Sequence, residues 1–551
     1  MTGAFHPRHW PLPDTTVFDN LAVTARRYPR RTAIRYYGSS VTWARLLEQT
    51  LALAGYLQQR CGVRRGDRVL LYLQNSPQFV IAYYAILRAD AVVVPVNPMN
   101  LSEELSHIAR DAGARVAVAG TELLDRLAPL VGAGLLERVV GACYADDVDP
   151  ATALPLPEVL RAAPRPAASA GFVAWADALS AGCSVQPAQA GADDLAALPY
   201  TSGTTGQPKG CMHTHRSLMA IIATASALNG QSTTDVMLAV VPFFHITGMQ
   251  MVMNNAVFLG ATMVVMTRWD REAALRLIRE EGVTSWINIP TMVIDLLGSA
   301  QADASALASL RHIGGGGAAM PEAVAALLKQ LTGLDYLEGY GLTETAAPTH
   351  SNPMARPKRQ CLGLPIVNTV SLVRDPDSGE ILPPGRAGEI VTSGPQVFAG
   401  YWQQPEATAA AFVEIDGRRF FRTGDIGTMD DEGYFFLVDR LKRMINAAGY
   451  KVWPAEVESL LYAHPDVQEA CVVAAADAHR GETVKACVVL KTGRVGEVSG
   501  EDLMAWARGR MAAYKVPRQV EFLDHLPKTA SGKVQWRLLQ ASSAAKPSAP
   551  G

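Results

Sequence analysis

Charge of one sign, clustered cysteine and long uninterrupted apolar runs are all missing from this chain of 551 residues, and each absence removes a class of function. The 50 basic residues nearly cancel the 52 acidic ones, leaving a net charge of −2. No field exists to hold a phosphate backbone or an anionic leaflet, so nucleic acid and membrane surfaces are not expected partners. The cysteines (Cys61, Cys143, Cys183, Cys211, Cys361, Cys471 and Cys487) are odd in number and scattered, which is neither a disulfide framework nor a zinc pattern. The amino terminus, MTGAFHPRHWP, lacks a charged stretch leading into an apolar core, so no secretory signal is read, and its second residue is not the glycine that myristoylation needs. The longest apolar stretch, Phe79 to Val96, carries Arg88, Asp90 and Pro95 and reads as a buried helix plus strand, not a membrane span. A reducing cytoplasm is the expected compartment. There is also no G-x-S-x-G, no H-E-x-x-H and no G-x-G-x-x-G feeding a helix, so hydrolase and dehydrogenase readings have no starting residue.

What is present is the composition of a folded protein: 49% hydrophobic and 19% charged residues supply enough apolar surface to offset ordering entropy. At roughly 100 to 200 residues per domain, two to four domains are expected. The first part alternates helical and strand patterns as a doubly wound sheet requires. Ser76 and Pro77 start a helix reaching about Arg88, followed by the strand AVVVPV. Another helix runs from about Ser102 to Ala112, ends at Gly113 and leads into RVAVA. Asp270 caps a helix ending at Gly282, and Pro321 opens one ending at Gly333. Between about Ala142 and Ala192 the alanine- and proline-rich sequence reads as a surface excursion with one short helix near Phe172 to Leu179. Short alternating runs from about Leu362 to Val438 suggest a β-rich subdomain. Beyond Asp439 the order changes to an α+β module with helices over Ala455–Tyr462 and Asp502–Ala513, and residues 541–551 are expected to be disordered.

Six stretches carry candidate chemistry. TSGTTGQPKG, Thr201 to Gly210, follows an apolar strand pattern, and its hydroxyls and bare backbone N–H groups can face a phosphate beside the charge of Lys209. It lacks the G-K-[ST] triplet of a Walker loop. Read alone, such a run is more often a flexible turn. GGGGA, Gly314 to Ala318, and YGLTET, Tyr340 to Thr345, each follow a predicted strand, where doubly wound folds bind ligands. Side-chain-free glycines let a flat ring approach backbone, Tyr340 offers a stacking face, and Glu344 is a hard oxygen ligand suited to magnesium; the bland alternative is a tight turn and an ordinary strand. Asp425 in FRTGD can accept two ribose hydroxyls, Arg440 lies in DRLKR, and Lys533 lies in PKTASGK, where a solvated surface lysine is the default reading.

Together, TSGTTGQPKG, YGLTET, FRTGD, DRLKRMI and PKTASGK, in that order, resemble the adenylate-forming superfamily of acyl-CoA synthetases, peptide-synthetase adenylation domains and beetle luciferases, over about Leu21 to Leu539. The resemblance implies an α/β fold: a large N-terminal domain of doubly wound sheets plus a small β-barrel subdomain (1–438), a hinge (439–443) pivoting at Lys442, and a mobile α+β C-terminal domain (444–540). It implies that Thr201, Ser202, Gly203, Thr204, Thr205, Gly206 and Lys209 bind the β- and γ-phosphates of ATP. Tyr340 with Gly316, Gly317 and Ala318 would sandwich adenine, and Asp425 and Arg440 would hold ribose. Thr343 and Glu344 would meet the α-phosphate and Mg²⁺. Lys533 resembles the mobile lysine that bridges carboxylate and α-phosphate, and the loop of Gly449, Tyr450 and Lys451 would guide coenzyme A. The sequence departs from relatives at Ala319, where proline is frequent, and at Ser217, where asparagine is common; neither is expected to touch the catalytic set.

PFFHITGMQMVMNN, after Val241, resembles the segment lining the acyl pocket, with His245 as a gate. No acidic residue lies between Val236 and Gly260 to pair with an amino-acid ammonium, so amino acids are not expected substrates. Met249 and Met253, four apart, would share a helix face and give a polarizable wall for an alkyl chain, or simply fill core. YGLTET lacks the tryptophan that closes the pocket in acetate-activating relatives. The expectation is an AMP-forming ligase of a medium- or long-chain fatty acid with CoA. An aryl-CoA ligase for benzoate- or coumarate-like acids, and an acyl-AMP ligase loading a carrier protein, are the alternatives; the short connection from Ala346 to Gly363 disfavours the second. A nucleotide-binding scaffold without catalysis is disfavoured by retention of Lys209 and Lys533. The oligomeric state is left open, a homodimer included.

Overall fold

A computed structural model describes residues 9–161, 171–201, 208–440, 443–447, 450–477, 481–491, 493–494, 496–528 and 534–544, without the side chains of 226–229, 440, 446, 450, 451, 481, 543 and 544. The chain forms two compact units, Met1–Val370 with Thr392–Phe421, and Ser371–Val391 with Arg422–Gly551. Among the described residues no helix is long and apolar enough to cross a membrane.

The first unit holds two large, mostly parallel sheets. One has nine strands in the spatial order Leu364–Pro365, Ala347–Ser351, Leu337–Leu342, His312–Gly315, Ser285–Asn288, Val236–Ala239, Thr262–Val265, Thr32–Tyr36 and Ser39–Thr42. The other has seven, in the order His213–Thr214, Leu195–Ala197, Val92–Pro95, Arg68–Tyr72, Val116–Gly120, Arg138–Ala142 and Phe172–Ala174. Apolar runs such as Val92–Pro95 and Val116–Gly120 are buried at every position, as strands covered on both faces must be.

Local chemistry sets the helix ends. The Ser76 hydroxyl accepts the Phe79 N–H at 3.2 Å, with Pro77 at the first helical position of Pro77–Arg88. That helix is buried on all sides up to Leu87, which is why its sequence is apolar all round. Asp270 accepts the Ala273 N–H at 2.8 Å to open Arg271–Glu281, and Gly282 closes it at φ 63°. Gly113 and Gly333 close Ser102–Ala112 and Glu322–Thr332 in the same left-handed way. These are the boundaries the sequence predicts.

Elsewhere the structure differs from expectation. Phe172–Ala174 is not helical but an edge strand parallel to Arg138–Ala142; the helix is confined to Trp175–Ser180. An available sheet edge wins here over local helix formation, as it can for bulky residues on a half-buried pleat. The segment with Met249 and Met253 is a π-helix, Gly248–Asn254, in which both methionines are fully buried in the main core.

In the second unit, helix Pro454–Tyr462 and the long antiparallel pair Val467–Asp477 and Gly481–Leu490 enclose a separate apolar core. The helix expected over Asp502–Ala513 is Gly500–Arg508, opened by the Ser499 cap and ending at Gly509. A final helix, Trp536–Ala544, extends into the stretch expected to lack order; residues 545–551 lie outside the described part. The β-rich pattern over 362–438 becomes short antiparallel pairings, with Phe412 opposite Phe421 in the first unit and Asp425 opposite Arg440 in the second.

The glycines after Ile313 are required by close approach. A Cβ on Gly315 would lie 1.9 Å from the Asn288 carbonyl oxygen, and one on Gly314 would lie 2.5 Å from that of Leu337. Gly132, at the end of helix Leu124–Gly132, has open space around it and no left-handed φ. Gly315→Ala should therefore lower the melting temperature, at a cost of about 1–3 kcal/mol of overpacking. Gly132→Ala should leave it unchanged or raise it; thermal scans of the two proteins check the contrast.

Candidate active site

The site in the first unit grows from the carboxyl ends of parallel strands. In the nine-stranded sheet the chain adds Thr262–Val265 on one side of Val236–Ala239 and then Ser285–Asn288 on the other. Ligands of such sheets bind where the strand order reverses. Residues 240–247, including His245, leave Val236–Ala239 at that point. Asn75 fixes their path: its side chain donates to the Ala239 and Val241 carbonyls at 3.4 and 3.1 Å and accepts the Phe243 N–H at 2.7 Å. His245 is exposed, and its Nδ1 accepts the Thr247 N–H at 3.3 Å.

Next in the sheet, Gly316, Gly317 and Ala318 follow strand His312–Gly315, and Tyr340 lies on the adjacent strand Leu337–Leu342. Gly316 has no room for a side chain, since a Cβ would meet the Gly339 carbonyl oxygen at 2.3 Å. The Tyr340 ring is partly exposed and packs at 50° to His350, with centroids 5.7 Å apart. The structure thus brings the glycine segment and the stacking tyrosine onto neighbouring strands.

Strand Leu337–Leu342 runs directly into a 3-10 turn, Thr343–Thr345, that carries Glu344. Ala346 and Ala347 leave the turn at φ 51° and 87°, a left-handed backbone that non-glycine residues take only where surrounding structure imposes it. Thr345 ties the turn internally, its hydroxyl accepting the Leu342 N–H at 3.0 Å and facing the Ala347 carbonyl at 2.9 Å. Gly341 makes room, because a Cβ there would lie 2.1 Å from the Ala347 oxygen.

Thr201 and Lys209 are opposite one another in a short antiparallel pair. Ser202, Gly203, Thr204, Thr205 and Gly206 lie outside the described residues. After Lys209 the chain runs alongside residues 399–402: the Met212 N–H donates to Gly400 at 3.0 Å, Ala399 to Met212 at 2.9 Å and Trp402 to Gly210 at 2.8 Å. This clasp delivers donors to the Glu344 turn. The Phe398 N–H donates to the Glu344 carbonyl at 2.8 Å, and the Tyr401 hydroxyl to Glu344 Oε1 at 2.9 Å. The Lys209 ammonium sits over the Tyr401 ring, 5.0 Å from its centroid. Burial and then the Glu344 charge push the Tyr401 hydroxyl far above its usual range, so it stays a donor.

A second tie comes from His213. Its Nε2 lies 2.7 Å from the Thr343 carbonyl oxygen, which can only accept, and its Nδ1 lies 3.2 Å from the Ser217 hydroxyl. Complete burial lowers the imidazole to about 4, so it is neutral, with the proton on Nε2. Ser217 is therefore linked to the turn through His213, two hydrogen bonds away. Sequence reading missed His213, Phe398 and Tyr401; their partners lie far along the chain, and no local pattern marks them.

In the second unit, Asp425 is buried on strand Arg418–Met429 with its N–H on the Thr423 hydroxyl at 3.1 Å, and its backbone is opposite Arg440. Tyr450 and Lys451 form a strand edge opposite Ala447 and Asn446. Lys442, Gly449 and Lys533 lie outside the described residues.

Residues 21–402 match the model of the AMP-binding enzyme family, and residues 456–533 match that of its C-terminal domain. The chain is an AMP-binding enzyme. It belongs to the adenylate-forming acid–thiol ligases that act on acyl or aryl acids. This enzyme is 37% identical to a long-chain-fatty-acid–CoA ligase of Bacillus subtilis over 97% of this chain and 95% of the relative. It is 36% identical to a feruloyl-CoA synthase of an Amycolatopsis species over 93% and 95%. Its fold is similar to that of ATP-bound MatB from Rhodopseudomonas palustris, with a TM-score of 0.85 and 29% identity, covering 96% of this chain and 99% of that one.

The enzyme's buried imidazoles have a pH consequence. Burial lowers His213 and His215 to about 4 and His350 to about 3, against about 6.5 in the unfolded chain. Between roughly pH 6.5 and 4 the unfolded state takes up protons that the folded state refuses, so each contributes stability that is lost as pH falls. Burial raises the Glu122 and Glu338 carboxyls, which act in the opposite sense, so the test is a difference. Denaturant titrations should show a His213→Asn protein losing less stability on acidification than the parent, by up to about 1.4 kcal/mol per pH unit.

Proposed function

We propose that this enzyme joins a medium- or long-chain fatty acid to coenzyme A through an acyl-adenylate. A carboxylate oxygen attacks the α-phosphorus of ATP and pyrophosphate leaves. The coenzyme A thiolate then attacks the acyl carbonyl and AMP leaves. The observation that carries this reading is the 37% identity with a long-chain-fatty-acid–CoA ligase over 97% of the chain. The absence of acidic residues between Val236 and Gly260 supports an uncharged acyl pocket.

On this reading the Lys209 loop, Thr201 through Gly206, holds the outer phosphates. Gly316, Gly317, Ala318 and Tyr340 enclose adenine, and Asp425 with Arg440 holds ribose. Thr343 addresses the α-phosphate. The Glu344 carboxylate suits Mg²⁺, a hard cation that takes one or two carboxylates and otherwise shares phosphate oxygens and water; the ion would neutralise phosphate charge. Lys533 stands between two anions that repel each other and stabilises the charge developing at the α-phosphate. Lys442 is the pivot that exchanges Lys533 for the Gly449, Tyr450 and Lys451 loop, which guides coenzyme A, and His245 gates the acyl pocket. None of the seven cysteines is in a disulfide, which fits a reducing cytoplasm.

An aryl acid is the second reading, favoured by the 36% identity with a feruloyl-CoA synthase and by structural likeness to an anthranilate–CoA ligase bound to anthranoyl-AMP, with a TM-score of 0.83 at 26% identity. Pyrophosphate exchange into ATP with hexanoate, decanoate, palmitate, benzoate and ferulate decides between them. For the fatty-acid reading, kcat/KM should rise about fourfold per added methylene until the pocket is full, from about 0.8 kcal/mol each. Preference for ferulate or benzoate over decanoate would transfer the assignment to the aryl class, and no exchange with any acid would sink both.

Lys533→Ala should cut the exchange by roughly 100- to 1,000-fold, the cost of losing one placed charge-stabilising contact, yet still convert synthetic acyl-adenylate to thioester. Equal loss of both steps would assign Lys533 a structural role. Proline at Lys442, which restricts φ to about −65°, should spare adenylation and impair thioester formation; rapid-quench measurement of the two products checks it.

A further inference from the structure

Tyr401 joins the two charged residues of the proposed phosphate site through a single side chain. Its hydroxyl donates to Glu344 Oε1 at 2.9 Å, while its ring face carries the Lys209 ammonium 5.0 Å from the centroid. The side chain itself is held firmly. The Tyr401 N–H donates to the Thr408 hydroxyl at 2.9 Å, its backbone bridges Cys211, and Phe398 packs edge-on against the ring with centroids 4.9 Å apart. Glu344 is fixed a second time through its carbonyl by the Phe398 N–H.

A flexible lysine stem close to a partly buried carboxylate is drawn into an ion pair, because attraction strengthens as water is excluded. Such a pair would have to be broken before either charge could engage a nucleotide. A rigid aromatic ring offers the ammonium an alternative seat of moderate strength, and the phenol occupies one carboxylate oxygen with a directional bond. We infer that Tyr401 is a positioning residue for adenylation, keeping Lys209 and Glu344 seated on one ring rather than on each other and presenting Glu344 in a fixed orientation to a phosphate-bound divalent cation. The inference rests on the phosphate and metal roles proposed above for Lys209 and Glu344.

The test uses the full-length enzyme and two binding readouts: free Mn²⁺ counted by electron paramagnetic resonance in the presence of a non-hydrolysable ATP analogue, and calorimetric titration of the same analogue without metal. Tyr401→Phe keeps the ring and its packing and removes only the hydroxyl. It should weaken Mn²⁺ binding on the order of 10-fold, the scale of one hydrogen bond to a charged group, and leave metal-free nucleotide affinity unchanged. Tyr401→Leu removes the ring as well, so metal-free affinity should also fall on the order of 10-fold as Lys209 turns to Glu344. Adding Glu344→Gln to Tyr401→Leu should restore that affinity, because an amide does not trap an ammonium; a merely structural defect would not be rescued. Parent-like Mn²⁺ binding in Tyr401→Phe, or failure of the rescue, overturns the inference. Lys209→Ala and Glu344→Gln as single changes separate the two levels: if neither alters nucleotide or Mn²⁺ binding the roles proposed for them fail, and if both do while the Tyr401 proteins match the parent, only Tyr401 is wrongly assigned.

Discussion

A single turn, Thr343–Thr345, has to be held in a conformation that its own residues resist. The left-handed backbone at Ala346 and Ala347 costs about 1–3 kcal/mol per residue, while an internal hydrogen bond returns only about 1 kcal/mol net. The turn is therefore held from several directions at once: His213 at the Thr343 carbonyl, Phe398 at the Glu344 carbonyl, Tyr401 at the Glu344 carboxylate and Thr345 from within. Together these ties hold the backbone on both sides of Glu344 and one oxygen of its carboxylate. Such preorganisation lets charge-stabilising groups act without reorganising during reaction.

The supports come from distant parts of the first unit, His213 from a short strand antiparallel to Leu195–Ala197 and Phe398 and Tyr401 from outside the sheet strands. A strand of a parallel sheet is followed by a crossover of a dozen or more residues before the next is laid down, so neighbouring carboxyl ends belong to distant sequence. Gly314, Gly315 and Gly316 allow adjacent strands to approach closely, each standing where a Cβ would collide with a neighbouring carbonyl. The missing side chains that let the sheet close up would also, on the proposed reading, leave a flat wall for adenine.

Electrostatics in the first unit follow from burial more than from pairing. Three histidines are buried neutral, so they serve as fixed hydrogen-bond groups and not as charges, His213 at the Thr343 carbonyl and His215 at the Val17 N–H. Lys209 and Glu344 are both seated on Tyr401. The adenylation chemistry proposed for the enzyme needs that restraint, since its reactants are themselves anions and a self-neutralised site would offer them nothing.

Length, near-neutral charge and scattered cysteines excluded whole classes of function from the sequence, and helix limits such as Ser76–Pro77, Gly113, Asp270 and Gly282 were legible because caps and breakers act within a few residues of the bond they make. The glycine run, YGLTET and TSGTTGQPKG stood out as candidate chemistry only through their order along the chain with the later motifs, since each alone reads as a turn or an ordinary strand. What only the tertiary structure decided are matters of distant pairing: that Phe172–Ala174 completes a sheet edge, that Met249 and Met253 turn into core within a π-helix, and that His213, Phe398 and Tyr401 converge on Glu344. Nothing in a window of a dozen residues encodes those contacts, because their partners are 57 residues away for Tyr401 and 130 for His213, and hydrogen bonds over such separations exist only once folding has brought distant segments together.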